Sequence, residues 1–167
     1  MIITIKDENN RFGVRVAAII FNHDMSKIFM QKQNNHDYYM FPGGRLEIHE
    51  DSKTAILREL REELGINEDA KLKYITENFI QFPNNKKYHE IGFYFVVRIE
   101  EEKYNYKLDK TYNSLDEEND GKTEFIWLDK NELKNYKIMP NFIVEKIINN
   151  NFDNVDTVEH LVYKEYE

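Results

Sequence analysis

The succession of strand-like and helix-like stretches in this 167-residue chain predicts an α/β fold. Three observations carry that reading. Runs rich in β-branched and aromatic residues recur before and after one strongly amphipathic helix. The approach to that helix is a Pro-Gly-Gly turn. The length supplies a core for one domain and little chain for a second, so residues 1–167 are read as a single unit.

The elements follow in order. A short apolar strand is expected at residues 2–6, and the polar DENNR stretch ends it. FGVRVAAIIFN (12–22), the turn HDMS and KIFMQKQ (27–33) read as a hairpin, since two β-rich runs flank a polar break. YYMFPGGR (38–45) reads as a strand entering a tight loop. Between residues 52 and 64, Ile56, Leu57, Leu60 and Leu64 gather on one helical face, with Asp51 or Ser52 to cap the start and Gly65 to end it. Residues 71–82 and 88–100 form two strands around the turn PNNKK; in the second, Ile91, Phe93, Phe95 and Val97 share one face, while Glu90, Gly92, Tyr94 and Val96 take the other. The charged segment 100–122 is long for a loop, which predicts either a functional or a mobile connection. A strand at 123–129, a short helix at 129–135 capped by Asp129, a helix at 141–150 introduced by Pro140 and a closing strand at 157–164 complete the chain.

Composition narrows the function classes. Apolar residues at 41% and charged residues at 32% argue against wholesale disorder. A net charge of −8 disfavours a long nucleic acid as partner, because phosphates demand a basic surface, but it admits a small anionic substrate bridged by metal ions. Without cysteine there is neither a disulfide framework nor a thiolate metal site, which suits the cytoplasm. A charge arrives by Lys6, and no later apolar run reaches the length of a membrane span, so no membrane role is expected.

The chemistry concentrates on the 52–64 helix. Glu59, Glu62 and Glu63 stand at helical spacing on a stripe beside the apolar face, where like charges repel. Such a stripe is ordinarily a solvated face. Here the acids are not interleaved with Lys, and Gly43 and Gly44 sit at the helix entry, free to bend so that a main-chain carbonyl can join them. A hard cation such as Mg²⁺, with Mn²⁺ as a substitute, takes an oxygen set of this kind together with substrate phosphate.

Gly44, Glu50, Arg58-Glu59-Leu60, Glu62-Glu63 and Gly65-Ile66 stand at the spacing of the Nudix box. The chain thus resembles the Nudix hydrolases, which cleave nucleoside diphosphates linked to another group. That resemblance implies a mixed β-sheet sandwiched between helices. It also implies that Glu59, Glu63 and the Gly43 carbonyl hold the metal, and that Glu62 is a further ligand or the base that takes a proton from water. Arg58 is counted with the catalytic group, although its pairing with Glu50 across the loop–helix junction is expected to be mainly structural. Arg45 and Arg15, with Lys32 behind them, are candidates for phosphate oxygens. Tyr38, Tyr39 and Phe41 are candidates for stacking on a base, although such aromatics more often form core. A carboxylate from outside the box is sought at Glu90, in a strand, ahead of Glu117, Glu118 and Asp120 in the acidic loop.

Within the resemblance, a nucleoside triphosphate, ADP-ribose or a nucleotide sugar, a dinucleoside polyphosphate and a capped RNA end all remain open. Compact size tilts the reading toward a small nucleotide. The alternative from another class is a Nudix-like module that binds a nucleotide without hydrolysis; modules of that kind commonly lose a box glutamate, and this chain keeps all of them. The apolar N-terminal strand leaves a homodimer open, through addition to a neighbour's sheet edge.

Overall fold

A computed structural model describes residues 1–165. Its centre is β2 (Asn10–Phe21), whose stretch VAAIIF is buried on both faces, as expected of a strand in the middle of a two-sided sheet. Along one edge β2 runs parallel to β6 (Lys87–Arg98) over its whole length. Its other edge is shared by β1 (Thr4–Lys6), β4 (Gly43–Arg45) and β3 (Lys27–Gln33), all antiparallel. The sheet continues from β6 through β5 (Lys71–Gln81) to β9 (Glu159–Lys164), and from β3 through β8 (Thr123–Asp129) to β7 (Thr111–Asn113). Because β2–β6 and β5–β9 are parallel and the other pairs antiparallel, the sheet is mixed.

Helices cover both faces. Val16, Ala18 and Ile20 of β2 meet Ala55, Ile56, Leu60 and Leu64 of α1 (Ser52–Leu64), with Phe29, Phe95 and Trp127 filling the same layer. Ala17, Ile19 and Phe21 face the other way, toward Val144 and Ile147 of α2 (Val144–Ile148) and the aromatic pair Tyr74 and Tyr94. This is the α/β arrangement with helices on two sides of a mixed sheet.

Both ends of α1 are fixed by local chemistry. The Asp51 carboxylate accepts from the backbone N–H groups of Lys53 and Thr54, each at 3.0 Å, and from the Thr54 hydroxyl at 2.6 Å. Gly65 turns left-handed at φ 64°, and the N–H groups of Gly65 and Ile66 reach back to the carbonyls of Arg61 and Leu60. Asp51→Ala is expected to lower stability by about 1 kcal/mol, read as a shift of the urea midpoint at unchanged m-value.

Several expectations are corrected. The hairpin of residues 12–33 forms but pairs only at Ile20–Phe29 and Phe21–Ile28, because β4 takes the next stretch of that edge of β2; the other edge of β3 pairs along its whole length with β8. The strand expected at 38–45 shrinks to Gly43–Arg45, with isolated bridges at Tyr39 and Met40. In place of a helix at 129–135, Lys130–Asn135 is 3₁₀, and Asp129 makes no side-chain cap; its carboxylate takes the Lys27 ammonium at 2.9 Å. The helix expected at 141–150 has one 3₁₀ turn followed by the five residues of α2. Segment 100–122 is anchored: the buried Tyr106 donates its hydroxyl to the Leu64 carbonyl at 2.6 Å, and the Trp127 indole N–H donates to the Tyr106 carbonyl at 3.2 Å. The connection thereby closes the end of α1. No helix among the described residues is long and apolar enough to cross a membrane.

Candidate active site at the entry of helix α1

Arg58 organises the junction between β4 and α1. Its Nε and Nη2 donate to the two oxygens of Glu50 at 2.8 and 3.0 Å, forming a two-pronged pair. Nη1 donates to Glu59 at 2.9 Å and to Glu62 at 3.3 Å, and Nη2 also reaches the Arg45 carbonyl at 3.5 Å. One guanidinium therefore ties the loop, the glycine strand and two helix acids together. The Arg58 bond holds the Glu50 carboxyl below its usual range, and Glu50 in turn raises the proton affinity of Arg58.

Gly44 makes the second contact. Its partner across the ladder is Val16, on the α1 face, and a Cβ there would stand 2.2 Å from Glu59 Oε1. Only a residue without a side chain lets the Glu59 carboxylate lie against the strand. Hydrogen bonds from Ala18 N to the Pro42 carbonyl and from Leu46 N to the Val14 carbonyl bracket β4. The antiparallel alternation then directs the carbonyls of Gly43 and Arg45 away from β2.

Burial sets the electrostatics. It raises the Glu59 pKa, with the Arg58 bond opposing and the Glu62 charge adding to the rise. Glu63 is pushed up to about 7, first by burial and next by the Glu59 charge; Arg15 opposes, and Asp116 and Glu62 contribute. Glu63 thus favours the fold in its protonated form. Its contribution to stability is complete below the ordinary carboxylate pKa of 4.5 and is lost as pH rises through about 7. In EDTA-containing buffer the unfolding free energy of wild type relative to Glu63→Gln should fall between pH 4.5 and 8, as read by urea titration; a constant difference would contradict the assignment.

Among the described residues no three His, Asp or Glu side chains stand together as a ready-made metal cluster. The donor chemistry nonetheless fits a hard cation. Glu59 and Glu63 are oxygen donors held close together and short of solvent, their proton affinities are raised, and the glycine cradle admits one of them to the strand.

On the opposite face of β2 lies a cleft of about 770 Å³, lined by Arg11, Arg15, Arg45, Tyr38, Tyr88 and Lys137 among others. Arg15 links it to the acids: its charge is felt by Glu59 and Glu63, while its Nη2 donates to the Phe41 carbonyl at 2.9 Å. Arg15 and Arg45, the two expected phosphate cations, are thereby brought to one cleft.

Three candidates are placed otherwise. Phe41 is 1% exposed and packs edge-on against Tyr94, so it offers no face to a ligand; its backbone carbonyl is what serves the site. Tyr39 packs against Tyr136 on the α2 side, with the Lys32 ammonium 5.4 Å from its ring centre. Glu90 pairs with Gly13 and so projects from the sheet face opposite α1, where its carboxylate accepts the Tyr88 hydroxyl and meets Arg45 at 3.5 Å. The structure does not bring it to the helix acids. Among the described residues, an acid outside the box whose charge is felt at Glu63 is Asp116, next to Leu115, whose N–H donates to the Glu63 carbonyl at 2.8 Å. Asp116 is not among the acids the sequence singles out in this loop, which are Glu117, Glu118 and Asp120. Of the three aromatic candidates, Tyr38 is the one at the cleft, where its ring stacks on His36.

The sequence profile of the NUDIX domain family matches residues 11–145. The chain belongs to the Nudix family. Curated relatives of this Nudix chain include an RNA pyrophosphohydrolase from Legionella pneumophila, 31% identical over 85 residues that make up 50% of this chain and 49% of the relative. Another RNA pyrophosphohydrolase, from Stutzerimonas stutzeri, is 31% identical over 67 residues, 40% of this chain and 42% of the relative. The chain therefore spans about half or less of the length of these curated relatives. A crystal structure of a MutT protein from Bacillus halodurans shares the fold with TM-score 0.59 at 17% identity, covering 92% of this chain and 91% of that one.

These relatives correct the expected partners. Compact size favours a small nucleotide and net acidity disfavours a long nucleic acid, yet the named relatives are RNA pyrophosphohydrolases. Net charge is a property of the whole surface; it does not report the local set of Arg11, Arg15, Arg45 and Lys137 along the Nudix cleft.

Proposed function

We propose that this Nudix chain is a divalent-metal-dependent pyrophosphohydrolase that converts the 5′-triphosphate end of RNA to a 5′-monophosphate. The observation that carries the reading is the Arg58 clamp, which holds Glu50, Glu59 and Glu62 at the glycine turn next to a cleft lined by Arg15 and Arg45. The names of the RNA-acting relatives support the substrate class. Mg²⁺ or Mn²⁺ held by Glu59, Glu63 and the Gly43 carbonyl would supply neutralisation of the phosphate oxygens.

The protein groups then have distinct tasks. Arg15 and Arg45 bind and orient the triphosphate in the cleft. Glu62, with a side chain 53% exposed against 15% for Glu59, is the box acid open to water and takes its proton. Water oxygen bonds to one phosphorus as the bridging P–O bond breaks, and the bridging oxygen leaves with the electron pair on pyrophosphate. Arg58 positions Glu59 and Glu62 and holds the loop.

The test is to incubate the protein and Mg²⁺ with 5′-triphosphate RNA, with GTP and ADP-ribose in parallel, and to identify products. Pyrophosphate and 5′-monophosphate RNA, both abolished by EDTA, are expected. Turnover of GTP or ADP-ribose alone would overturn the RNA assignment. Binding of nucleotide without turnover of any substrate would overturn the enzyme.

A further inference from the structure

A second cavity, of about 440 Å³, adjoins the cleft on the side away from α2. The two share Arg11, Ile80, Gln81 and Tyr88 as walls. Its apolar part is a row across three strands: the register sets Phe12, His89 and Phe79 side by side on β2, β6 and β5. His89 stacks on Phe79 with ring centres 4.1 Å apart and meets Phe12 edge-on at 5.2 Å. All three rings are half-buried, so their outer surfaces are open. Beyond the rings, Ile5 is 70% exposed, a large apolar side chain with nothing over it.

The charge around the rings runs against that of the chain. Lys6, Arg11 and Lys87 line this cavity, all exposed, and none enters an ion pair among the described residues. Arg11 lies 5.5 Å above the Tyr88 ring. The one acid of the lining, Asp7, is occupied by the N–H groups of Asn9 and Asn10 at 2.8 Å and by the Asn10 amide. By strand alternation Lys87 projects on the ring face, while Lys6 and Arg11, paired in register, project from the other face at the same end of the sheet. In a chain of net charge −8, an aromatic row with cations at its rim is a surface of the kind that single-stranded nucleic acid fits: cations track the phosphates and rings accept any base.

Position makes the occupant more definite. Phe12 is four residues along β2 from Val16, the partner of Gly44, which puts the ring row about 13 Å from the acidic turn. The cleft of about 770 Å³ is already ample for one nucleotide. A chain continuing past its first nucleotide can fill both. We propose that this cavity is the path of the RNA downstream of its 5′ end, with bases on the Phe12–His89–Phe79 row and phosphates near Lys6 and Lys87. The proposal rests on the RNA reading of the active site.

The test uses binding, so that it is separable from turnover. A 3′-fluorescein single-stranded RNA hexamer carrying a 5′-monophosphate is titrated with wild type and with the double variant Lys6→Glu/Lys87→Glu, reading anisotropy at several salt concentrations. The variant is expected to bind the hexamer at least tenfold more weakly with a shallower salt slope, and to hydrolyse GTP, or any mononucleotide that wild type accepts, at the wild-type rate. Equal hexamer affinity in the two proteins would overturn the path. So would a variant that differs from wild type only in oligomeric state, since that assigns the face to a second copy. If wild type hydrolyses no RNA at all, the functional reading fails while the anisotropy comparison still decides whether RNA occupies this surface.

Discussion

Glu62→Gln is expected to reduce turnover by about a hundredfold or more, the scale of losing a general base, with little change in folding. The side chain is half exposed and its recorded bond is a 3.3 Å contact to Arg58, so removing its charge disturbs no buried partner. Exposed substitutions of this kind ordinarily stay within about 0.5 kcal/mol. Initial rates on 5′-triphosphate RNA, together with a urea melt of the same preparation, separate the two effects. Turnover within threefold of wild type would remove Glu62 from the mechanism.

Arg58→Ala is expected to act on stability and activity together. It leaves Glu50, whose side chain is 12% exposed, without its paired guanidinium and removes the strongest counter-charge to Glu59. Breaking such a pair by deleting one partner costs roughly 3 kcal/mol, since the remaining carboxylate is left short of solvent. Arg58→Lys should recover only part of this, because an ammonium cannot span both oxygens of Glu50 and also reach Glu59 and Glu62. Urea titration of the three proteins at pH 7 in EDTA checks the order wild type, Lys, Ala. A Lys variant equal to wild type would show that charge alone, without the fork, holds the junction.

The acidic helix was legible because its information is local. The apolar spacing of Ile56, Leu60 and Leu64, the Asp51 cap and the Gly65 stop lie within fifteen consecutive residues, and the structure reproduces each. The strand pairings of β2 were not legible in the same way. Hydrophobic runs mark residues 12–22 and 27–33 as strands, but nothing local says that three glycine-turn residues will take the edge between them. Site residues divide along the same line. Arg58 and Glu50 sit within one turn and helix, so their pairing follows from spacing, whereas Glu90 required the β2–β6 register to reveal that it faces away from α1. Phe41 illustrates a limit of composition: an aromatic next to a catalytic loop looks alike whether it meets a base or Tyr94. Asp116 approaches Glu63 because segment 100–122 folds back over the helix end, a placement fixed by Tyr106 and not by its neighbours in sequence.

The parallel pairing of β2 with β6 has a cost in time. From Asn10–Lys87 to Phe21–Arg98 each partner lies 77 residues downstream (87 − 10 and 98 − 21). At about 5–20 residues per second a ribosome needs roughly 4–15 s to deliver the second strand. Throughout that interval the emerging VAAIIF stretch has no long partner, and a six-residue apolar run without Pro or charge is prone to pair with other nascent chains. The central strand that gives the finished molecule its two-sided core is therefore also where a newly made chain most needs shelter.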